Sequence, residues 1–333
     1  MKDKILLGHG SGGKLMNDLI RNVIRGTLHS GSLQLDDSAV LTLGDQKLAF
    51  TTDTFTITPI FFPGGDIGKL AVNGTVNDLA VMGAKPLYIS CALILEEGGA
   101  IDDLKRVLES MHDASVEAGV QVVTGDTKVV EKGKGDRIFI NTSGIGILTH
   151  PLPRRQIEVG DQIIVNGSLG DHGIAVMAER NGLSFTEGLV SDCAPLNRLI
   201  EPLLVSFPRS IKFMRDATRG GAASVLNEIV QGQAYSVRLF EKQLPIRQEV
   251  QGVCEILGID PLYAANEGKV IMVVKADDAG DVVAAMKELE FGREACIIGE
   301  ITGEYKGTVF LQTEVGGRRI LPLLIEEQLP RIC

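Results

Sequence analysis

One stretch in the first half of the chain decides how the fold is interpreted: Val72-Asn73-Gly74-Thr75-Val76-Asn77-Asp78-Leu79-Ala80-Val81-Met82-Gly83-Ala84-Lys85-Pro86. It completes a predicted helix over 66–82, in which apolar side chains recur at mixed three- and four-residue steps. The glycine and the proline after the helix are placed to end it. Asn73 and Asn77 stand four residues apart and share a helical face, with Asp78 beside them. The pattern therefore predicts a polar stripe on a helix that otherwise belongs to a core.

Strand and helix signals alternate on both sides of this stretch. The predicted strands are 47–51, 87–95, 120–124, 138–148, 162–166 and 269–274, and the other predicted helices are 104–118, 173–179, 196–206, 221–230 and 278–289. Hairpin-like stretches also occur, so the pattern predicts an α+β fold rather than a pure doubly wound sheet. His150-Pro151-Leu152-Pro153-Arg154-Arg155 interrupts the alternation and marks a domain boundary. We expect a first domain over 1–150, a second over 151–319, and a mobile C-terminal tail over 320–333.

Bulk composition excludes several classes of protein. A length of 333 residues with 44% hydrophobic residues suggests two domains with ordinary cores. No apolar run reaches the ~18 residues of a membrane span, and the first residues do not form a signal peptide, so a cytoplasmic location is expected. A net charge of −10 argues against a general nucleic-acid binder.

The chain ends on a cysteine, in Leu329-Pro330-Arg331-Ile332-Cys333. The 5 cysteines are an odd number without a C-x-x-C pair, and none stands near a histidine at metal-ligand spacing. A prenylation signal would need the cysteine fourth from the end. The terminal position arises by chance in a small fraction of chains, but it favours a reactive thiol on a short arm, because chain ends that nothing holds are mobile.

Aspartates beside small polar residues or glycines recur at the edges of apolar elements. They stand in Asp36-Asp37-Ser38-Ala39-Val40, Thr51-Thr52-Asp53-Thr54, Asn77-Asp78-Leu79, Gly125-Asp126-Thr127-Lys128 and Arg215-Asp216-Ala217-Thr218-Arg219-Gly220-Gly221. Each one taken alone has an alternative role as a helix cap or a turn residue. Mg²⁺ prefers hard oxygen ligands and is usually shared with phosphates, and clustered carboxylates repel one another unless cations lie between them. Their recurrence favours a magnesium–phosphate site.

Other segments offer weaker signals for phosphate chemistry. Gly8-His9-Gly10-Ser11-Gly12-Gly13-Lys14 fits the first seven positions of a P-loop, but Leu15 replaces the Ser or Thr that would hold Mg²⁺. A glycine-rich cover over a ligand is the favoured alternative. Arg219-Gly220-Gly221 precedes a helix and offers backbone donors suited to phosphate. Glu267, in Asn266-Glu267-Gly268-Lys269, is either a catalytic base or a solvated turn carboxylate.

Together these motifs resemble the aminoimidazole-ribonucleotide synthetase superfamily, which includes selenophosphate synthetase and thiamine-monophosphate kinase. The resemblance covers essentially the whole chain. The glycine-rich opening, Asn266-Glu267-Gly268-Lys269 and the terminal Pro330-Arg331-Ile332-Cys333 are similar to the branch of carbamoyl dehydratases that mature [NiFe]-hydrogenases. The selenophosphate branch usually carries a reactive cysteine or selenocysteine in its opening loop, whereas this chain has Ser11 and no cysteine there.

The resemblance implies an enzyme that acts on its own C-terminus. The carbamoyltransferase HypF would load a carbamoyl group onto the terminal thiol, and this chain would use ATP to dehydrate it to a thiocyanate. The cyano group would pass to the HypC–HypD complex and become a cyanide ligand of the hydrogenase iron. The first domain would bind ATP and pair in a homodimer, and the tail would move inward for dehydration and outward for exchange with these partners.

The resemblance also implies roles for individual residues. The catalytic set is Cys333 as substrate carrier, Glu267 as base and Lys128 facing the carboxamide. Asp37, Asp53, Asp78 and Asp216 would hold Mg²⁺, and these four together with Asn73, Asn77, Asp126, Gly10, Gly12 and Gly13 would bind the ATP. A small-molecule kinase or synthetase would need the aspartates but not Cys333. A non-enzymatic carrier would need Cys333 but not the aspartates, so the presence of both favours the self-modifying enzyme.

Overall fold

The structure is a computed structural model that describes residues 4–10, 12–28, 36–152, 156–183, 188–324, 329 and 331–333. An N-terminal helical segment comes first, with α1 (Lys14–Leu19) and α2 (Arg25–Leu28) joined by a π-helical stretch, Ile20–Ile24. No helix of the described residues is long and apolar enough to span a bilayer.

The first domain is a five-stranded sheet covered on one face by two long helices. Its elements in chain order are β1 (Ala39–Leu43), β2 (Gln46–Phe55), the short β3 (Phe61–Phe62) and β4 (Gly65–Asp66), α3 (Ile67–Val81), β5 (Ala84–Glu96), α4 (Ile101–Ala118), β6 (Gln121–Val130) and β7 (Ile138–Leu148). The strand order is β1-β2-β7-β5-β6, with only β5 and β6 parallel. The two short strands form a separate hairpin before α3.

Helix α3 begins at a side-chain cap and lies unusually close to the sheet. Asp66 precedes it and accepts hydrogen bonds from the backbone N–H groups of Gly68 and Lys69, as an N-cap does. Gly144 of β7 faces the helix: a Cβ there would lie 2.6 Å from Thr75 Cγ2. The glycines that interrupt the apolar pattern of this strand therefore do not break it.

The second domain is a seven-stranded sheet between helices. Its elements are β8 (Gln162–Val165), α5 (Asp171–Arg180), α6 (Asn197–Ser206), β9 (Ile211–Asp216), α7 (Gly221–Val230), β10 (Ser236–Phe240), α8 (Gln248–Leu257), β11 (Val270–Val274), α9 (Ala279–Lys287), β12 (Cys296–Thr302), β13 (Val309–Gln312) and β14 (Arg318–Ile320). The order is β14-β13-β10-β12-β8-β11-β9, and only β10 and β13 pair in parallel.

Strand β11 shows that this sheet is covered on both faces. All five of its residues are buried, and alternate side chains enter different cores. Met272 packs in the core with α6 and α9, whereas Ile271 packs in the core with α7. A continuous apolar run is expected where both faces of a strand are covered.

The predicted α+β class is confirmed, but several element boundaries differ from the predicted ones, most clearly at β6 and at the tail. Strand β6 was expected to stop at Thr124, yet it continues through Asp126 to Val130, because it pairs in parallel with the longer β5. Gly125 permits this pairing, since a Cβ there would lie 2.2 Å from the carbonyl oxygen of Cys91. The predicted start of the tail, Ile320, lies in β14, and residues 325–328 and 330 of that tail lie outside the described residues.

Candidate functional site

Three aspartates from distant parts of the sequence meet where the two domains join. Asp37 precedes β1, Asp78 lies in the last turn of α3, and Asp216 ends β9. One carboxylate oxygen from each lies within 4.8 Å of the others. Asp53 of β2 lies on the same cavity wall, so the structure brings together all four aspartates of the predicted magnesium set.

The carboxylates of the acidic cluster repel one another. Burial, followed by the charge of Asp37, raises the pKa of Asp216 from 3.8 to about 8. Burial and then the charges of Asp216, Asp53 and Asp37 raise the pKa of Asp78 well above its ordinary value. Burial also raises the pKa of Asp53, against the opposing charge of Arg219. A divalent cation would relieve this repulsion, so the donor set suits Mg²⁺.

Two arginines and a threonine organise the carboxylates. Arg215 Nη2 lies 2.9 Å from Asp37 Oδ1, and its Nη1 lies 2.7 Å from Glu228 Oε2. Arg219 Nη2 lies 3.9 Å from Asp53 Oδ1. The hydroxyl of Thr51 is 2.8 Å from Asp78 Oδ2, to which it donates. The cluster is thus bordered by fixed positive groups suited to a polyphosphate.

A cavity of about 760 Å³ opens beside the cluster, with two kinds of wall. The carboxylates, Arg215 and Arg219 line one part. The other part is lined by apolar and aromatic side chains, among them Ile20, Ile157, Phe213, Ile229 and Tyr235. A polar end next to an apolar slot is suited to a ligand that joins a flat ring to a charged group.

The glycine-rich opening lies against Arg219 at the rim of the cavity. Gly12 lines the cavity with a φ of +75°, and a Cβ there would lie 2.9 Å from the carbonyl oxygen of Arg219. The carbonyl of Gly10 accepts a hydrogen bond from Arg219 Nη1 at 3.5 Å, and Gly13 precedes α1. Lys14 forms an ion pair with Asp18 at 2.7 Å, and no strand precedes it in residues 4–10. This arrangement differs from a P-loop.

Glu267 is a buried carboxylate with an unpaired oxygen. Its side chain is 3% exposed, and Oε1 has no hydrogen-bond partner within the described part of the chain. Burial, then the charges of Asp216 and Asp53, raise its pKa well above the ordinary value, while Arg219 opposes the shift. The backbone N–H of Glu267 donates to Asp192 Oδ1 at 3.1 Å, which fixes the segment. The alternative of a solvated turn carboxylate does not fit this burial.

Asn73 and Asn77 do not line the cavity. Asn73 is fully buried, with Nδ2 3.5 Å from Cys193 Sγ. Asn77 donates to the carbonyls of Ala194 and Glu267 and accepts from the N–H of Leu196 at 2.7 Å. The polar stripe of α3 therefore faces the second domain, where Asn77 binds backbone groups and Asn73 contacts the thiol of Cys193.

Asp126 and Lys128 also lie away from the cavity of their own chain. Both are exposed on β6, where Lys128 Nζ lies 2.6 Å from Asp126 Oδ2. Strand β6 is at the edge of the sheet, three strands from β2, which carries Asp53. At about 4.8 Å per strand this separation is on the order of 14 Å, too far for a side chain to bridge.

The terminal cysteine is held close to the cavity. The carbonyl of Cys333 accepts a hydrogen bond from the N–H of Thr56 at 3.1 Å, directly after β2 ends. The negative charge of Cys333 is the first influence that raises the pKa of Arg219, ahead of Asp53 and Glu267. Cys333, Arg219, Asp53 and Glu267 therefore form one electrostatic group.

Several residues of the site were not predicted from the sequence. The sequence showed Arg215 and Thr51 only as neighbours of Asp216 and Asp53, and it predicted no role for either in the site. His172 belongs to the glycine-rich stretch Gly167-Ser168-Leu169-Gly170-Asp171-His172-Gly173, in whose sequence nothing indicates a contact with the chain end, and it lies in the first turn of α5. Its ring binds the carbonyl of Ile332, 160 positions away. Only the tertiary structure reveals such a pair.

Comparison with known proteins gives consistent matches over the whole chain. Residues 35–148 match the family described as AIR synthase related protein, N-terminal domain, and residues 158–312 match its C-terminal domain. The carbamoyl dehydratase HypE of Rhodobacter capsulatus is 45% identical over 337 residues, covering 99% of this chain and 98% of the relative.

Two solved structures are similar throughout. One is a HypE–HypF complex, with 45% identity and a TM-score of 0.85, covering 92% of this chain and 99% of that one. The other is hydrogenase maturation protein HypE in complex with ATP, with 44% identity and a TM-score of 0.82, covering 99% and 100%. The chain therefore belongs to the AIR synthase related family and, within it, to the HypE carbamoyl dehydratases.

Proposed function

We propose that this protein is an ATP-dependent carbamoyl dehydratase that converts an S-carbamoyl group on its own Cys333 to a thiocyanate, as a step in hydrogenase maturation. One observation carries the proposal: the last residue of the chain lies at the end of β2, next to the arginine that also contacts Asp53 of the acidic cavity. The proposed substrate carrier, Cys333, would thus be close to the proposed nucleotide site in the same chain.

The chemistry requires a leaving group and a base. A carboxamide oxygen leaves poorly, and transfer of the γ-phosphoryl group of ATP to it, with loss of one N–H proton, makes it a good leaving group. Loss of phosphate with the second N–H proton then leaves the C≡N triple bond on sulfur. Glu267 is our candidate for the base, since its buried carboxylate has an oxygen without a hydrogen-bond partner among the described residues that could accept a proton.

Arg219 and the aspartates would serve the phosphoryl transfer. Phosphoryl transfer depends mainly on positioning and on charge stabilisation. Arg219 lies 3.9 Å from Asp53 and is influenced by the charge of Cys333, so its own charge would stabilise the transferred phosphoryl group. Asp37, Asp53, Asp78 and Asp216 would hold Mg²⁺, which would neutralise phosphate charge. The apolar part of the cavity, with Phe213 and Tyr235, would receive the purine.

Partners follow from the chemistry and from the relatives. A carbamoyltransferase of the HypF type would load Cys333, and a HypC–HypD complex would accept the cyano group. We also expect a homodimer through the first sheet, because the face opposite α3 and α4 leaves apolar side chains exposed, among them Phe50, Tyr88 and Ile94. Asp126 and Lys128, on the edge strand of this sheet, would then act across the dimer rather than in their own chain.

Mass spectrometry of the C-terminal peptide tests the proposal. The protein would be carbamoylated with HypF and carbamoyl phosphate, purified, and then incubated with Mg–ATP. We expect the peptide to carry an added carbamoyl group, and then to lose one water only when ATP is present. Cys333→Ala should bind ATP and form no product. ATP consumption without a change in this peptide would refute the self-substrate mechanism and favour a small-molecule kinase.

A further inference from the structure

The end of the chain occupies a defined groove, which we call the tail groove and which is formed by Thr56, Thr58, His172, Gly173 and Arg180. Leu329 and Ile332 are 4% and 3% exposed and belong to a core that joins α3 and α4 of the first domain with α5 and α8 of the second. Leu329 packs directly on Gly173, where a Cβ would lie 3.1 Å from Leu329 Cδ1. Apolar side chains buried to this extent show that the tail has a specific inward seat.

Each of the last three carbonyls has its own donor in the tail groove. The carbonyl of Arg331 accepts from the N–H of Thr58 at 3.3 Å and from Arg180 Nη2 at 2.6 Å. The next carbonyl, of Ile332, lies 2.6 Å from His172 Nε2, and that of Cys333 accepts from Thr56. The backbone is thereby fixed residue by residue up to the thiol-bearing position.

The contact with His172 defines the state of its ring. The side chain is fully buried and packs edge to face on Phe62, and burial lowers its pKa, so the ring is neutral. A carbonyl can only accept, so Nε2 carries the hydrogen toward Ile332. Nδ1, 2.8 Å from Ser191 Oγ, then accepts from that hydroxyl.

The segment that orients His172 also fixes the candidate base. Next to Ser191, the carboxylate of Asp192 accepts from the N–H groups of Glu267 and Gly268, each at 3.1 Å, and from Lys269 Nζ at 2.9 Å. Ser191 thus binds His172, which holds the tail, and the adjacent Asp192 binds the backbone of Glu267. This common support sets the position of the chain end relative to Glu267.

We propose that His172 and Arg180 are positioning residues that seat the last three residues in the tail groove, so that the group on Cys333 meets Glu267 and the nucleotide. Arg180 also donates to the carbonyl of Thr58, which ties the end of the groove to the tail. This inference rests on the proposed function only for its consequence on the rate. The seat itself can be measured on protein that carries no carbamoyl group.

The first measurement is removal of Cys333 by carboxypeptidase from the full-length, unmodified protein, followed by intact mass. His172→Leu and Arg180→Met should each accelerate removal by about tenfold, the effect of about 1.4 kcal/mol for a lost hydrogen bond. His172→Gln should restore protection, because its amide can still donate to the Ile332 carbonyl. His112→Leu and Arg209→Met, exposed residues outside the groove, are matched controls and should behave as wild type.

The second measurement is single-turnover dehydration of carbamoylated protein with Mg–ATP. His172→Leu and Arg180→Met should slow it by about the same tenfold factor, with unchanged ATP affinity and unchanged loading by the carbamoyltransferase. Carboxypeptidase protection equal to wild type in both variants would overturn the inference, as would slow dehydration accompanied by equally weakened ATP binding. Failure of wild-type protein to dehydrate would instead refute the proposed function and leave the protection result to be judged separately.

Discussion

Replacing Asp216 by asparagine should stabilise the ligand-free protein. This carboxyl is 6% exposed, and its pKa is raised from 3.8 to about 8. At pH 7 the unfolded chain ionises it freely while the folded chain keeps the proton. The working pH of 7 lies about 3 units above the unfolded-state pKa of 3.8. At about 1.4 kcal/mol per unit, ionisation of the unfolded chain lowers the free energy of unfolding by about 4 kcal/mol. An asparagine at this position would carry no such penalty and would offer its amide N–H to the neighbouring carboxylates.

The pH dependence identifies the cause. Because the pKa of the folded state lies above that of the unfolded state, the folded protein binds the extra proton. The contribution of Asp216 to wild-type stability is therefore fully present below about pH 4 and is lost as the pH rises to about 8, and Asp216→Asn should remove this slope. Differential scanning fluorimetry from pH 5 to pH 9 would measure it, with a melting temperature at pH 7 raised by roughly 5 °C or more.

Added Mg–ATP should reverse the order of the two proteins. The cation removes the repulsion in wild type and stabilises it by mass action, whereas the variant has lost a ligand. Asp45→Asn, in the exposed turn between β1 and β2, is the control and should leave both curves unchanged. A variant that is no more stable than wild type at pH 7 without Mg–ATP, or whose gain is independent of pH, would refute the reasoning.

Three further predictions concern Glu267, Asn77 and Gly144. Glu267→Gln should lower the rate of single-turnover dehydration by at least about 100-fold, because the amide cannot act as a base. The ATP affinity, measured by calorimetry, should stay unchanged. A variant that reacts at the wild-type rate would exclude Glu267 as the base. Asn77→Ala should lower the free energy of unfolding by about 2–3 kcal/mol in urea, since the N–H of Leu196 and two carbonyls lose their partner; a change below about 0.5 kcal/mol would contradict this. Gly144→Val should lower it by about 1–3 kcal/mol, because its Cβ would lie 2.6 Å from Thr75 Cγ2, and wild-type stability would show that α3 can shift freely.

The parts of the fold that could be predicted depend on local patterns. Helix α4 was readable because one apolar face repeats over its length and Gly119, with a φ of +70°, ends it. The acidic residues were readable because each Asp stands beside small polar residues at or near the end of an element. Their convergence is a tertiary fact, and their binding of Mg²⁺ stays a prediction.

The parts that could not be predicted depend on pairing between distant segments. Asp126 resembles the other aspartates in sequence, but parallel pairing with β5 extends its strand and leaves it on an edge. Asn77 was expected at the nucleotide from the family resemblance, and its hydrogen-bond partners in the structure are backbone groups of the other domain. The seat of Ile332 depends on His172, whose sequence context gives no hint of it.

Helix α3 has a mechanical consequence. Asn77 binds the carbonyl of Glu267, while the next residue, Asp78, belongs to the acidic cluster. The helix therefore fixes the backbone of Glu267 and the acidic cluster at one separation, and any hinge motion between the domains would break several buried hydrogen bonds at once. The chain end is instead held in the tail groove, by hydrogen bonds to its last three carbonyls and by the burial of Leu329 and Ile332. Under the proposed function, the carbamoyl group on Cys333 would therefore move to the nucleotide and to Glu267, while those two stay in place.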